Sequence, residues 1–242
     1  MLRFGTSSRS RRSNARNWLP QALRDVLRRA RDRWRRPRQQ RELWALAPAS
    51  PKKIVIGSAG SRFKGWVSTD ENVLDLLQEE TWSPYFSRDD LDAILAEHVW
   101  EHLDAGEAKE AARICFQFLK PGGHLRVAVP DGLHPDPSYI EAVRPGGTGA
   151  GAEDHKVLYT YASLRDLFVD TGFDVRLQEY FDEHGRFHSH EWDPADGMIL
   201  RSKRFDSRNS PGQLFYTSII LDALKPDPAR APSSSGAPAA PT

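Results

Sequence analysis

The sequence predicts an α/β fold, a mostly parallel sheet with helices packed on both faces. Two observations carry this. Short apolar runs, KKIVIG at 52–57 and HLRVAVPD at 124–131, have the near-continuous hydrophobicity of strands buried on both sides. Between such runs lie segments of helical periodicity, so strand and helix alternate along the chain. At 242 residues, 39% of them hydrophobic and 28% charged, the chain holds material for one domain with polar tails. The expected division is an Arg-rich extension over 1–49, a domain over 50–224 and a disordered Pro/Ala/Ser-rich tail over 225–242.

The net charge of +1 conceals an asymmetry. Residues 1–42 hold 14 Arg and no Lys against Asp25, Asp32 and Glu42, a charge of +11, which leaves −10 on the remainder. Within the basic part Leu19, Leu23, Val26, Leu27, Ala30 and Trp34 recur at helical spacing, with Pro20 tolerated in a first turn and Pro37 as the expected stop. This basic amphipathic helix suits an anionic membrane surface, contacted through residues 17–38, or an apolar seat on its own domain. The strand and helix pattern starts only near Lys52, so the core is expected to fold without residues 1–42. The single Cys115 falls on an apolar helical face and excludes an internal disulfide framework. No apolar run approaches the roughly 20 residues needed to span a bilayer, and no apolar leader follows Met1, so a cytoplasmic setting is expected.

In chain order, KKIVIG reads as a buried strand entering a tight turn of small residues, GSAG at 57–60. WVSTD at 66–70 reads as a second strand ending in a carboxylate. Asp70 follows Gly57 by 13 residues, less than the roughly 20 of a dinucleotide fold, so the helix between these strands must be truncated or absent. LDAILAEH at 91–98 is the third strand. Asp104 and Glu107 then have capping-box spacing ahead of one apolar helical face, Ala108, Ala111, Ala112, Cys115, Phe118 and Leu119. That helix stops at KPGG, and HLRVAVPD is the fourth strand. Residues 132–156 are long, Gly- and Pro-rich and unpatterned, the character of a cover over a binding site. Leu164, Leu167 and Phe168 mark a further helix ending at Gly172, FDVRLQEYF alternates as a strand, and 214–224 forms the last strand.

The run HVWEH at 98–102 spells His-x-x-Glu-His, a metalloprotease motif when it lies inside a long helix. Here it joins a strand to a helix, which rejects that reading. No third ligand is evident for Glu101 and His102, and His98 stands where a related metal-binding run has glutamate, so no bound metal is expected. The cluster HGRFHSHEWD at 184–193 reads as surface or cleft lining.

The ordered series IVIGSAG, GWVSTD, AEHVWEHL, FLKPGGHLRVAVPDG, DHKVLY and DTGF resembles the class I S-adenosylmethionine-dependent methyltransferases. It looks most like a bacterial subgroup with EHVxEHL, KPGGxLRxAVPD and DHKxxY runs, over about residues 52–224. The resemblance implies a Rossmann-like seven-stranded sheet whose last strand is antiparallel, and S-adenosyl-L-methionine as cofactor. Carried over, Gly57, Ser58, Ala59 and Gly60 would turn under the methionine part, Asp70 would hold the ribose, and Asp75 or Leu76 would lie near adenine. Glu97 and His98 would face cofactor or acceptor. Ala59 stands where many of these enzymes have glycine. The implied reaction is methyl transfer to a small-molecule or glycan acceptor; the alternatives are a non-catalytic binding protein of the same fold, or a nucleic-acid methyltransferase guided by the Arg-rich arm. The charge of −10 on the remainder argues against nucleic acid. A hydroxyl acceptor needs a base, and His98, Asp131 and His155 fall by order near the sheet's carboxyl edge. For each, the plainer role is a hydrogen bond that orders its loop.

Overall fold

The computed structural model describes residues 21–230. Helix α1 (Gln21–Leu46) leads into strands β1 (Lys53–Ile56), β2 (Val67–Ser68) and β3 (Leu91–Glu97). Helix α2 (Ala105–Phe118) and strand β4 (Leu119–Pro130) follow, then α3 (Pro137–Val143), α4 (Tyr161–Val169), β5 (Asp174–Phe181), β6 (Phe187–Ser189) and β7 (Ser218–Leu224). The seven strands form one sheet in the order β2-β1-β3-β4-β7-β5-β6. Strands β2, β1, β3 and β4 pair in parallel, and β7 inserts antiparallel between β4 and β5. The expected mostly parallel α/β sheet with an antiparallel last strand is therefore present, with the hairpin strand β6 added at one edge.

The two faces of the sheet are covered differently. Ile54, Ile56, Ile94, Leu125, Val127 and Ile219 share a core with the apolar faces of α2 and α4. Both halves of the capping box at Asp104 and Glu107 form, which is why α2 starts where the spacing predicted. Cys115 is fully buried on its apolar face, and burial pushes its thiol well above the usual range. On the opposite face Val55, Ala93, Leu95, Ala128 and Ile220 pack against Trp66, Ile199 and Trp192, which come from loops. Helical cover was expected there. In its place Arg126, 2% exposed on β4, clamps a loop: it pairs with Asp222 at 2.7 and 2.9 Å and donates to the carbonyls of Asp193 (2.9 Å) and Gly197 (2.7 Å).

Helix α1 departs from expectation at Pro37, which lies inside the helix and does not end it. An internal proline costs about 3 kcal/mol. Contacts beyond it offset that cost: Leu43 and Leu46 enter the main core, Gln39 is buried, and Glu42 pairs with Arg62 at 3.0 Å. Among the described side chains, Arg35, Gln39, Leu43 and Leu46, one turn apart, face the domain, whereas Trp34 of the expected stripe is 85% exposed. Leu19 and Pro20 lie outside the described residues, as does most of the tail. Leu43 and Leu46, at the end of the Arg-rich extension, thus pack in the main core. Leu43→Ala is expected to lower unfolding free energy in urea by roughly 2–4 kcal/mol, the cost of emptying a fully buried leucine site.

Candidate active site

The site is built where β1 and β3 end. After Ile56 the chain turns through three left-handed residues, Gly57 (φ +59°), Ala59 (φ +47°) and Gly60 (φ +95°). A Cβ at Gly57 would stand 2.6 Å from Val99 Cγ2, so packing and backbone both demand glycine. The turn is pinned by Asp70. Its Oδ1 accepts from Ser58 Oγ and from the Ala59 N–H, each at 2.9 Å, and its Oδ2 accepts from Gln39 Nε2 at 2.8 Å. Arg35 Nη1 lies 3.7 Å from the same oxygen. Asp70 therefore ties the turn to α1.

At the end of β3, Glu97 accepts the backbone N–H groups of Leu200 (3.1 Å) and Arg201 (2.7 Å), fixing the loop that follows Ile199. His98 then takes the left-handed conformation (φ +56°), and Trp100–His102 form a 3-10 turn. The HVWEH run is thus a strand-to-helix turn, as its context predicted. Fully buried Trp100 roots this turn, donating to the Ala108 carbonyl at 3.3 Å and packing on Phe168. The carbonyl of Glu101 accepts from the N–H groups of Lys156 (2.7 Å) and Val157 (3.2 Å), which brings the DHK segment and His155 onto the turn.

Three imidazoles therefore surround one buried carboxylate. Glu101 is 1% exposed. His98 Nδ1 lies 2.9 Å from its Oε1, and His155 Nε2 lies 4.0 Å from the same atom. His102 meets His155 edge to face, ring centroids 4.8 Å apart. Burial pushes the Glu101 carboxyl up, but the charge and contact of His98, its own backbone and His102 outweigh that, and its pKa lies below the usual range. It is an anion at neutral pH.

Two adjoining cavities, about 590 and 700 Å³, flank this turn, and both are lined by Ile56, Gly57, His98, His102 and His155. The first continues along Ser58, Ala59 and Glu97 to Arg201, Asp206 and Arg208; the second continues to Asp75, Leu76 and Leu77. The 132–156 segment contributes Ala150, Gly151 and His155 to the first. Gly60 lines neither cavity and lies against the Arg35 guanidinium; Asp70 lines neither as well. Asp75 shapes its own loop by accepting the Leu77 N–H at 2.8 Å.

Asp131 stands apart from the two cavities. It is fully buried and borders neither cavity; Oδ1 accepts the Leu133 N–H (2.9 Å) and Oδ2 the Phe181 N–H (2.7 Å), joining the end of β4 to β5. Its role is to order the loop. In the HGRFHSHEWD cluster, His188 pairs with Asp182 at 2.8 Å in a surface hairpin. Sequence reasoning missed Arg35, Gln39, Arg201, Asp206 and Arg208. The last three sit on an irregular loop, where no periodicity marks them.

The chain matches no family model and no curated protein. It is similar to solved structures at low identity. A S-adenosylmethionine-dependent methyltransferase from Archaeoglobus fulgidus is 14% identical over 80% of this chain and 94% of its own, with a TM-score of 0.44. One from Thermotoga maritima is 13% identical over 84% of this chain and 99% of its own, also with a TM-score of 0.44.

Burial raises the Asp131 pKa from 3.8 to about 6, with its two N–H partners only partly offsetting the effect. The folded state therefore favours the protonated form. Stability from this group is complete below about pH 4 and is lost as pH rises through about 6. Relative to wild type, Asp131→Asn should gain roughly 2–3 kcal/mol of unfolding free energy between those limits. Urea unfolding at a series of pH values checks this, and a pH-independent difference would refute it.

Proposed function

We propose that the chain is a S-adenosylmethionine-dependent methyltransferase acting on a small-molecule or glycan hydroxyl. The observation that carries this reading is the meeting of two cavities at the carboxyl edge of β1 and β3, beneath a left-handed turn whose Gly57 leaves no space for a Cβ. In parallel α/β sheets ligands bind beyond the carboxyl ends of the strands. The ordered motifs of the sequence support the same reading.

The residues present fit the cofactor. Asp75 and Leu76 would receive adenine in the second cavity, and Ser58, Ala59 and Glu97 would border the methionine part in the first. Asp70 fits less directly, because its oxygens already serve Ser58, Ala59 and Gln39; a ribose at Asp70 would have to displace Gln39. The cofactor would supply an electrophilic methyl group on sulfur. The chain's own task is then to hold the acceptor in line and to take its proton. His98 and His155 border the cavities and Asp131 does not, so the proton goes to an imidazole. Of the two, His98 has Nδ1 2.9 Å from Glu101 Oε1 and Nε2 3.1 Å from Ser218 Oγ, so it can serve as the base only where the acceptor takes the place of the Ser218 hydroxyl.

S-adenosylhomocysteine is expected to bind the full chain and to raise its melting temperature, by the equivalent of about 2.7 kcal/mol at a hundred times Kd. Gly57→Ala should weaken that binding tenfold or more, since the new methyl group meets Val99. Calorimetry finding no heat and no thermal shift with the wild type would end this reading.

We also propose that the exposed side of α1, with Arg33, Arg36, Arg38 and Trp34, contacts an anionic lipid surface. No helix among the described residues is long and apolar enough to cross a membrane. Vesicles containing anionic lipid should retain the protein at low salt and release it at high salt, with Trp34→Ala releasing earlier. Equal retention by neutral vesicles would refute the contact.

A further inference from the structure

The sequence offered Glu101 and His102 as two metal ligands lacking a third. The fold supplies it. His155, 53 residues further on, is drawn to the turn by the backbone bonds from Lys156 and Val157 to the Glu101 carbonyl. One ligand atom from each of Glu101, His102 and His155 lies within 4.8 Å of the others. Bonds of about 2.0–2.2 Å to a shared ion then require only small side-chain movements.

A second, independent observation points to a cation. Apart from His98 Nδ1 at 2.9 Å from Oε1, nothing among the described residues answers the Glu101 carboxylate, and Oε2 accepts no hydrogen bond although the side chain is 1% exposed. Buried carboxylates are paired or bound to metal, because an unsolvated charge costs several kcal/mol. The imidazoles are turned to complete such a site. His155 Nδ1 lies 2.7 Å from the Val143 carbonyl and His102 Nδ1 lies 3.3 Å from the Asp154 carbonyl. A carbonyl only accepts, so Nδ1 carries a proton in both rings, and Nε2 is the nitrogen left to meet a ligand. Backbone carbonyls that fix a tautomer in this way are the usual outer support of metal-binding histidines. For His155 that nitrogen faces the carboxylate at 4.0 Å, a separation that a cation between them can bridge.

We infer that Glu101, His102 and His155 form a binding site for a divalent first-row transition ion. Two imidazoles and one carboxylate favour zinc, cobalt or manganese over magnesium or calcium, which take oxygen ligands. Three protein ligands leave positions open, and His102 and His155 line both cavities, so an open position faces the site. If the methyltransferase reading holds, that position suits the acceptor oxygen; the metal site itself stands without that reading. The expectation of no metal is thereby reversed by a residue whose approach the sequence did not reveal.

The test is cobalt(II) titration of the full chain after dialysis against a chelator. The expected result is one equivalent bound at micromolar concentration with visible d–d absorption, displaced by zinc and not by magnesium. His102→Ala and His155→Ala should each weaken binding tenfold or more. Should a variant fail to fold, proton NMR of the wild type answers the same question: cobalt or manganese should broaden the ring signals of His102 and His155 before those of His188 and His190. Absence of stoichiometric binding, binding unchanged in folded variants, or broadening centred on His188 and His190 would each overturn the inference. S-adenosylhomocysteine binding measured in chelator separates this failure from failure of the cofactor reading, since that binding should persist without metal.

Discussion

A single buried anion organises the site. Glu101 sits in a 3-10 turn whose backbone is held on one side by Trp100 in the core and on the other by the Lys156 and Val157 N–H groups. Its side chain is only 1% exposed, so the surrounding chain must answer most of its charge, and three imidazoles from two segments collect around it. The same turn forms the boundary between the two cavities. Charge compensation inside the protein and the shape of the two cavities are thus one arrangement. Moving Glu101 would displace His98 and His155 together.

The second constraint is the hoop after β1. Asp70 could have been free to meet a ligand; instead it satisfies the turn and takes Gln39 from α1. The Arg35 guanidinium lies over Gly60, close enough that a Cβ there would stand 2.3 Å from Nη2. The basic helix is therefore coupled to the glycine turn through two side chains, while Leu43 and Leu46 carry its packing energy. Any movement of α1 on a surface would be felt at the turn through Asp70, over a path of direct contacts.

Much of the sheet was legible because its signals are local. The alternation of apolar runs, the Asp104 and Glu107 spacing and the Gly172 stop each reflect a rule that operates within a few residues, and β3, α2 and α4 fall where those rules place them. The antiparallel last strand was legible only by resemblance, since pattern carries no direction. Misreadings arose where tertiary contact overrode local preference. Pro37 would end an isolated helix, yet Leu43 and Gln39 hold the turns beyond it. Helix α3 was hidden in a Gly- and Pro-rich stretch because only seven residues carry it, with Tyr139 and Val143 as its buried side chains. In the site, His98 and Glu101 could be found because they share one motif. The approach of His155 depends on two backbone hydrogen bonds across more than fifty residues, which no spacing rule encodes.

The uneven cover of the sheet explains where acceptor selectivity would reside. Helices seal one face, and their residues serve the core. The other face is closed by a loop that Arg126 anchors to Asp222 and to the carbonyls of Asp193 and Gly197, with Trp192 stacked 4.9 Å over the guanidinium. From that anchorage the chain runs through Ile199, fully buried, to Arg201, Asp206 and Arg208, which wall the first cavity. Arg126 is too deeply buried to touch a ligand, so its consequence for binding is positional: it fixes the start of the wall. The wall is irregular backbone tied to the sheet at a few points: Glu97 holds Leu200 and Arg201, Glu179 accepts the Lys203 N–H at 2.8 Å, and Ser218 Oγ donates to the Arg201 carbonyl at 2.9 Å. On the methyltransferase reading proposed above, this division would leave the turn around Glu101 to chemistry and the wall from Arg201 to Arg208 to the choice of acceptor.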